Sequence, residues 1–389
     1  MDVFGETIVV GAGIGGLAVA LALRRHDINV HVIEQADKLL DVGAGVQISA
    51  NGFLVLNALG VGSACSRAAV KAHAVELIDH KTAQTVCALD IEKYNKGLTH
   101  LMMHRADLIN ILFEECINAG VSFSFSERVM SVSNDTKPEI VSSSDRYCPE
   151  VVICADGIHS VGRESLFGKV APYFTGHVAW RALVPNTTDH PDVARIYMGP
   201  KKHVVTYPIR SRSVLNLVLI EERDTWAKES WSEQGDADIL RRSFCEFNLG
   251  IGDLLSKVQT PHVWGLFRHP VAKKWYEGGV VLLGDAAHPT LPFMAQGANL
   301  ALEDAWVLAK CLSNTSLTKT DLQAYQDMRK KRVERIISVA EGNAWKYHLT
   351  FPPLRWAAHR TMWAMSQVMP GRMVEKFDWI YRYDATAET

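Results

Sequence analysis

The sequence predicts an α/β protein: a nucleotide-binding lobe built on parallel strands, an antiparallel β-sheet lobe inserted into it, and a helical C-terminal region. Three observations carry this. The segment ETIVVGAGIGGLAVALALRRHDINVHVIEQ has strand–turn–helix–strand texture. Residues 176–270 break into short strands divided by turn residues, and the chain then re-enters a buried apolar strand in GGVVLLGDAAHP. At 389 residues and 48% hydrophobic content, the chain is long enough for two such lobes.

In chain order, Thr7–Val10 reads as a buried strand, Ile14–Arg25 as a helix and Asn29–Ile33 as a second strand. Gly11, Gly13 and Gly16 form a GxGxxG pattern of Rossmann type. Gly11 permits the tight turn, Gly13 lets backbone approach a pyrophosphate, and Gly16 lets the helix pack on the strand. The helix start offers free N–H groups and a positive dipole end to phosphates. Glu34 closes the second strand about 20 residues on, where an acid takes the ribose hydroxyls of an adenosine and repels a 2′-phosphate. The unit suits FAD or NAD rather than NADP and does not by itself choose between them. Its plain alternative is a tight strand–helix turn with a charged strand end.

GAGVQISANG, residues 43–52, reads as a glycine-rich loop leading into an apolar helix. Residues 72–90 alternate as a hairpin, and residues 104–120 read as an amphipathic helix entered through His104 and Arg105. Short strands run on to about residue 154. In EVVICADGIHSVGRESLF a buried strand ends at Asp156–Gly157, followed by a loop bearing Arg163 and a short helix. In open α/β sheets, ligands bind outside the carboxyl ends of the strands, which is where this Asp-Gly falls. VAWRALVP, ARIYMG, HVVTYPIR, VLNLVLIEE and HVWGLF are the strands of the inserted sheet. From about residue 320 the tail is helical, with Leu354, Ala358, Met362, Met365 and Met369 on one face for core packing or a subunit contact.

A formal net charge of -2 argues against a nucleic-acid or anionic-membrane partner. Seven cysteines without CxxC spacing argue against disulfides and structural zinc, and for a reducing compartment. The N-terminus lacks a secretory signal, and glycines interrupt the apolar run 8–23, so no membrane span is expected and the protein reads as cytoplasmic. No His/Asp/Glu cluster has metal spacing.

With these pieces in order, the sequence resembles the single-component FAD-dependent aromatic hydroxylases, the flavoprotein monooxygenases that include salicylate hydroxylase, 3-hydroxybenzoate 6-hydroxylase and 6-hydroxynicotinate 3-monooxygenase. The likeness runs through VGAGIGG with Glu34, GAGVQIS, HRADL, ADGIHS, VAWRALVP and LLGDAAHPTLPFMAQGANLALEDA. It implies a tightly bound FAD with NAD(P)H as co-substrate, and hydroxylation of an activated aromatic ring by O2 through a flavin C4a-hydroperoxide. The substrate would be a small phenolic acid or hydroxylated N-heterocycle, and the enzyme a monomer or homodimer. Alternatives within the flavoenzymes are an epoxidase or hydroxylase of a larger quinone or isoprenoid, and a flavin reductase.

The resemblance also assigns residues. Gly11, Gly13, Gly16 and Glu34 would hold the ADP part of FAD, Arg105 its backbone, and Asp156 with Gly157 both FAD and NAD(P)H. Gln47 would stand at the cofactor, Asp285 at the ribityl chain, and Gly297, Ala298 and Asn299 at the isoalloxazine. The positive end of the helix starting at Gly297 would favour the reduced flavin by about 0.3–2 kcal/mol. His288 is read as part of the flavin loop.

Substrate residues are expected from HVVTYPIR and the 290s loop: Tyr207, Gln296 and His203 as catalytic candidates, in falling order, and Arg181, Thr206, Tyr207 and Pro292 against the substrate. The resemblance places a phenol-deprotonating histidine where this chain has Thr206, or where it has Gln47, so the base is missing from both places. Plain alternatives make Tyr207 a core aromatic, His203 a strand-end surface residue and Arg181 half of a salt bridge. The expected division is an FAD-binding domain of 1–71, 100–175 and 271–350, a substrate-binding β-sheet domain of 72–99 and 176–270, and a helical segment 351–389.

Overall fold

A computed structural model of the chain describes residues 7–39, 44–135, 137–226, 234–313 and 319–387. Gly43, the first residue of the expected glycine-rich loop, lies outside them.

Strand β1 (Thr7–Val10) is buried along its whole length and lies parallel between β2 (Val30–Ile33) and a strand at Val151–Cys154. The six-stranded sheet extends past β2 to Ser122–Ser124, and on the other side to Val280–Leu282 and an antiparallel edge at Tyr276–Glu277. The four inner parallel strands are buried throughout, and their Val, Ile and Leu side chains fill the main core with helix α1 (Ile14–Arg24), whereas Ser122–Ser124 is a partly exposed edge. The helix ends one residue before the expected Arg25, which caps it. Three chain segments leave the same edge of this sheet side by side: the GxGxxG turn after β1, Asp156–Gly157 after Cys154, and Gly284–Asp285 after Leu282.

Residues 45–48 differ from the expected loop. They form strand β3 (Gly45–Ile48), antiparallel to β4 (Leu101–His104), and helix α2 (Ala50–Ala58) follows. Helix α3 (Arg105–Asn118) starts as expected, with His104 Nδ1 accepting from the Ala106 N–H at 3.3 Å. Arg163 lies within helix α4 (Val161–Phe167) instead of the loop before it, because Ser160 caps the helix three residues earlier.

The second sheet has seven strands. Its centre is β5 (Tyr173–Pro185), β6 (Val193–Gly199), β7 (Lys202–Ile209) and β8 (Val214–Glu222), flanked by β9 (His262–Arg268) on one side and the hairpin 74–79/85–90 on the other. It is mixed, not purely antiparallel: β6 runs parallel to Ala74–Asp79. That hairpin arrives from an earlier part of the chain, so no tight turn forces it to reverse direction against β6.

Alternation gives this sheet two different faces. Val178, Trp180, Val204, Leu217 and Leu219 pack beneath helices Ala237–Ser243 and Leu249–Ser256, which the strand-only reading of 176–270 missed. The other face carries His177, Ala179 and Arg181 on β5, Val218, Ile220 and Glu222 on β8, and His203, Val205 and Tyr207 on β7, with His177 opposite Glu222 and His203 opposite Ile220. This second face closes over the first sheet's loops.

Helix α5 (Gly297–Leu312) packs on α1, α2 and the long helix α6 (Lys319–Tyr347). Of the expected stripe on helix α7 (Pro352–Val368), Met362 joins the small core around Leu77, Val86, Cys87 and Met198, while Leu354, Met365 and Met369 are exposed. Ile380 and Ala385 return to the main core. Among the described residues, no helix is long and apolar enough to cross a membrane.

Candidate active site

At the first strand end, Gly11 has φ +100°, and a Cβ there would stand 2.8 Å from the Ala155 carbonyl oxygen. Any residue but glycine is excluded on both counts. A Cβ on Gly16 would stand 1.9 Å from the Gly11 oxygen, so α1 rests directly on the turn. Gly16 therefore shapes the site without lining it. Gly13 lines the groove, and a Cβ there would meet no atom within 4 Å, so a side chain at 13 would fill groove space instead. The Glu34 carboxylate accepts from the Ala12 N–H at 2.7 Å and the Ala36 N–H at 2.9 Å. It thus braces the glycine turn while lining the groove beside Ile33, Glu127, Arg128 and Met130.

At the second strand end, Asp156 Oδ2 accepts from the Val161 N–H at 2.7 Å. Asp156 Oδ1 is buried with no partner among the described residues. Burial pushes this carboxyl upward, against hydrogen bonds from Ser160, Gly162 and Val161. Gly13, Arg105, Ala155, Gly157 and Asp285 border both the Glu34 compartment and the deeper pocket, joining them into one groove. Asp285 opens to the groove but is enclosed on its other sides. That enclosure raises its carboxyl, with His288 and Arg105 opposing.

The loop before α5 is held from behind. His288 is buried and bonds Asp304 through Nε2, so it faces the core and not the pocket. Asp304 would be raised by burial, but His288 and the buried Arg329, 2.7 Å away, hold it low. Ala295 takes a left-handed backbone (φ +51°) just before Gln296, and the first helical N–H bond of α5 runs from Leu300 to the Gln296 carbonyl. The N–H groups of the preceding turn face the groove end that Gly297 and Ala298 line.

Gln296 lines the pocket, yet its amide is committed elsewhere. Oε1 accepts from Asn51 Nδ2 at 3.1 Å, and Nε2 donates to Ser49 Oγ at 3.0 Å. Asn51 in turn donates to Glu303 at 2.6 Å. The expected catalytic Gln296 is therefore a brace. Asn299 likewise leaves the lining: it accepts from the Ser49 N–H at 3.0 Å and donates to the Gln47 carbonyl at 3.1 Å, clamping β3 to α5.

The deeper pocket lies between this loop, β3 and the inner sheet face. Gln47, Arg181, His203, Tyr207, Pro292 and Gln296 all border it. Thr206 does not: alternation turns it to the opposite face, where His190 Nε2 meets its Oγ1 at 2.8 Å. Its expected substrate contact is thereby corrected. Burial pushes the Tyr207 hydroxyl well above its ordinary range, despite the Arg181 cation and a hydrogen bond from Gln47. The protonated hydroxyl is favoured, which suits Tyr207 to orient a bound group by donating to it and not to remove a proton. Arg181 stacks on Trp264 at 4.7 Å, and burial lowers it to about 10, which still leaves it cationic.

His203 is no strand-end surface residue. It is 2% exposed, its Nδ1 lies 2.7 Å from His348 Nε2, and burial with the neighbouring His348 and His177 holds it far below the ordinary imidazole range. Nearby, nitrogens of His177 and His348 and an oxygen of Glu222 fall within 4.8 Å of one another. Both nitrogens of His348 are already engaged, by His203 and Glu222, and His177 Nδ1 contacts the Thr175 carbonyl at 3.0 Å, so hydrogen bonding accounts for this group without a cation. His348, Tyr347, Phe293, Ile220 and Gly45 all shape the pocket; Gly45 and Phe293 lie in motifs the sequence had marked, but His348, Tyr347 and Ile220 carried no sequence signal. Their places depend on strand register and on where α6 ends.

A flavin dinucleotide fits these residues. The groove offers a glycine cradle that a Cβ would fill, the orphaned Asp156 Oδ1 for a donor, carboxylates for hydroxyls and a helix start for the ring edge. The profile of the FAD binding domain family matches residues 5–340. The chain is 32% identical to a 3-amino-4-hydroxybenzoate 2-monooxygenase of Streptomyces platensis, covering 97% of this chain and 96% of the relative. It is 31% identical to a 3-hydroxybenzoate 6-hydroxylase of Klebsiella oxytoca, covering 88% and 89%. Its fold matches that of a salicylate hydroxylase substrate complex with a TM-score of 0.81 at 24% identity, covering 97% of this chain and 95% of that one.

Proposed function

The chain belongs to the FAD binding domain family and is an FAD-dependent aromatic monooxygenase, and from that premise we propose that its substrate is a small aromatic acid bearing a ring hydroxyl. One observation carries this: the cationic Arg181 stands in the wall of an otherwise largely apolar pocket, on the same sheet face as the donor Tyr207. A buried guanidinium stacked on an indole favours a carboxylate over a neutral group, and its fork can hold one in two bonds. The relatives named above act on hydroxybenzoates or an aminohydroxybenzoate, which agrees with this reading.

In this proposal Gly11, Gly13 and Glu34 receive the ADP part of FAD, and Arg105, Asp156 and Gly157 its middle. Asp285 receives the ribityl hydroxyls, and the start of α5 at Gly297 and Ala298 the ring edge. Bound FAD supplies the redox chemistry by which NAD(P)H and O2 are used. The chain's own residues orient the ring: Arg181 takes the carboxylate, and Tyr207 donates to a ring oxygen. Pro292, Phe293, Val218 and Ile220 exclude water. The seven free cysteines support a reducing, cytoplasmic setting, and the exposed apolar side chains of α7 offer a surface for a homodimer, the alternative to a monomer.

The test is NAD(P)H consumption and product analysis across phenolic acids, hydroxypyridines and matched phenols lacking the carboxylate. Hydroxylated product is expected only from the acids, with KM raised at least tenfold in Arg181→Met. Equal turnover of the neutral phenols would sink the acid assignment. NAD(P)H oxidation without an oxygenated product from any compound would favour a reductase.

A further inference from the structure

We propose that His203, His348 and Glu222 form a proton conduit that carries the substrate's hydroxyl proton from the pocket to solvent. This rests on the substrate reading above and supplies the base that the Thr206 and Gln47 positions lack. The geometry is a continuous chain. His203 borders the pocket, His203 Nδ1 lies 2.7 Å from His348 Nε2, and His348 Nδ1 lies 3.0 Å from Glu222 Oε1. The two histidines are buried, while the Glu222 side chain is 37% exposed. Three separate elements bring these groups together: β7, the segment after α6, and the end of β8. Backbone bonds pin the junction, from Lys201 N–H to the His348 carbonyl and from Glu222 N–H to the Lys201 carbonyl.

The terminal carboxylate dictates the tautomers. Glu222 can only accept, so His348 must carry its proton on Nδ1. A neutral His348 then has a bare Nε2, which can only accept, so His203 must donate from Nδ1. A neutral His203 consequently keeps a bare Nε2 lone pair outside the bond to His348, on a residue that borders the pocket. The groups around the pair are His177, Tyr347, Phe293 and Glu222. Burial and His177 disfavour charge on either imidazole, whereas Glu222 attracts a proton at the outer end.

The transfer balances without any added reagent. The substrate O–H breaks as its proton bonds His203 Nε2. The His203 Nδ1 proton moves to His348 Nε2, and the His348 Nδ1 proton moves to Glu222, which gives it to water. The substrate is left as a phenolate, with more electron density on its ring. Both imidazoles are left protonated at Nε2; the oxygen of the hydroxylated product then takes the His203 Nε2 proton, the His348 Nε2 proton moves to His203 Nδ1, and a water proton entering through Glu222 restores His348 Nδ1–H.

The test uses FAD-loaded enzyme and 4-hydroxy-3-nitrobenzoate, whose phenolate absorbs visible light. Stopped-flow mixing follows phenolate formation, while a dye follows proton release. Wild-type enzyme is expected to show both at one rate. His348→Ala should slow both more than tenfold with flavin content retained, and added imidazole should restore them. Glu222→Gln should slow proton release and shift its pH profile. Rates within twofold of wild type in His348→Ala and His203→Gln, or slowed rates that imidazole does not raise, would overturn the conduit. Failure of the wild type to bind the probe would instead overturn the substrate reading, whereas binding without ionisation would overturn the conduit, before any variant is made.

Discussion

Gly45 and Tyr207 are in such close contact that a Cβ on residue 45 would stand 2.5 Å from Tyr207 Cε2 and 2.7 Å from its hydroxyl oxygen. The glycine sits in an ordinary strand, so its necessity is steric, and its N–H is held by Asn216 Oδ1 at 2.7 Å. Tyr207 is thus set by an element outside its own sheet.

Gly45→Ala should therefore act on the aromatic substrate and not on FAD. Overpacking typically costs about 1–3 kcal/mol, and here it displaces the Tyr207 ring. We expect KM for the aromatic acid to rise about five- to a hundredfold, with flavin content unchanged. Steady-state kinetics with flavin absorbance checks this, and lost flavin with a normal KM would contradict it.

Glu34→Ala removes the acceptor for two backbone N–H groups, those of Ala12 and Ala36. Hydrogen bonds to charged groups contribute about 1.5–3 kcal/mol each when sheltered. Glu34 is only partly sheltered, so we expect FAD affinity to fall roughly ten- to a hundredfold. Fluorescence titration of apoprotein with FAD measures this; an unchanged Kd would remove Glu34 from the adenosine end.

Arg329 is fully buried between Glu303 and Asp304, at 2.6 and 2.7 Å. Arg329→Met leaves two carboxylates facing each other with less countercharge, the situation that costs about 3–5 kcal/mol. Denaturant unfolding should show that loss, with the His288–Asp304 bond and the flavin loop loosened together. A variant as stable as wild type would mean that Arg332, 2.9 Å from Glu303, suffices alone.

Acid should destabilise the protein through its buried histidines. Burial lowers His100 from 6.5 to about 4, and its Nε2 has no partner among the described residues. Its folded pKa is depressed, so the unfolded chain takes up a proton that the native state refuses between pH 6.5 and 4. The stability it contributes is present above 6.5 and lost as pH falls through that window, at up to ~1.4 kcal/mol per pH unit. His100→Phe should flatten the curve of unfolding free energy against pH by about one proton. An identical slope in the variant would refute the assignment.

The nucleotide end of the groove was legible because its constraints are local. Gly11 needs a positive φ, Gly16 a missing Cβ and Asp285 a strand end, and each is visible within a few residues of sequence. The substrate end was legible only in part. Strand alternation in HVVTYPIR puts His203, Val205 and Tyr207 on one face and Thr206 on the other, as the sheet shows, whereas resemblance drew Thr206 into the pocket. Gln296 looked free because its partners Asn51 and Ser49 lie about 245 residues away in the chain.

By itself, the sequence determined the α/β class, the glycine turn with its acid, and the flavin family. Those properties follow from backbone dihedrals, side-chain periodicity and strand ends, all of which act over short stretches. Only the tertiary structure decided which polar groups are spent on one another and which face the pocket. It braced Gln296 against the start of α2 and Asn299 against β3, withdrew His288 to Asp304, buried the Tyr207 hydroxyl, and brought His348 from the end of a distant helix to His203. The physical reason is that hydrogen-bond partnership and desolvation depend on what lies nearby in space, and no local pattern records it.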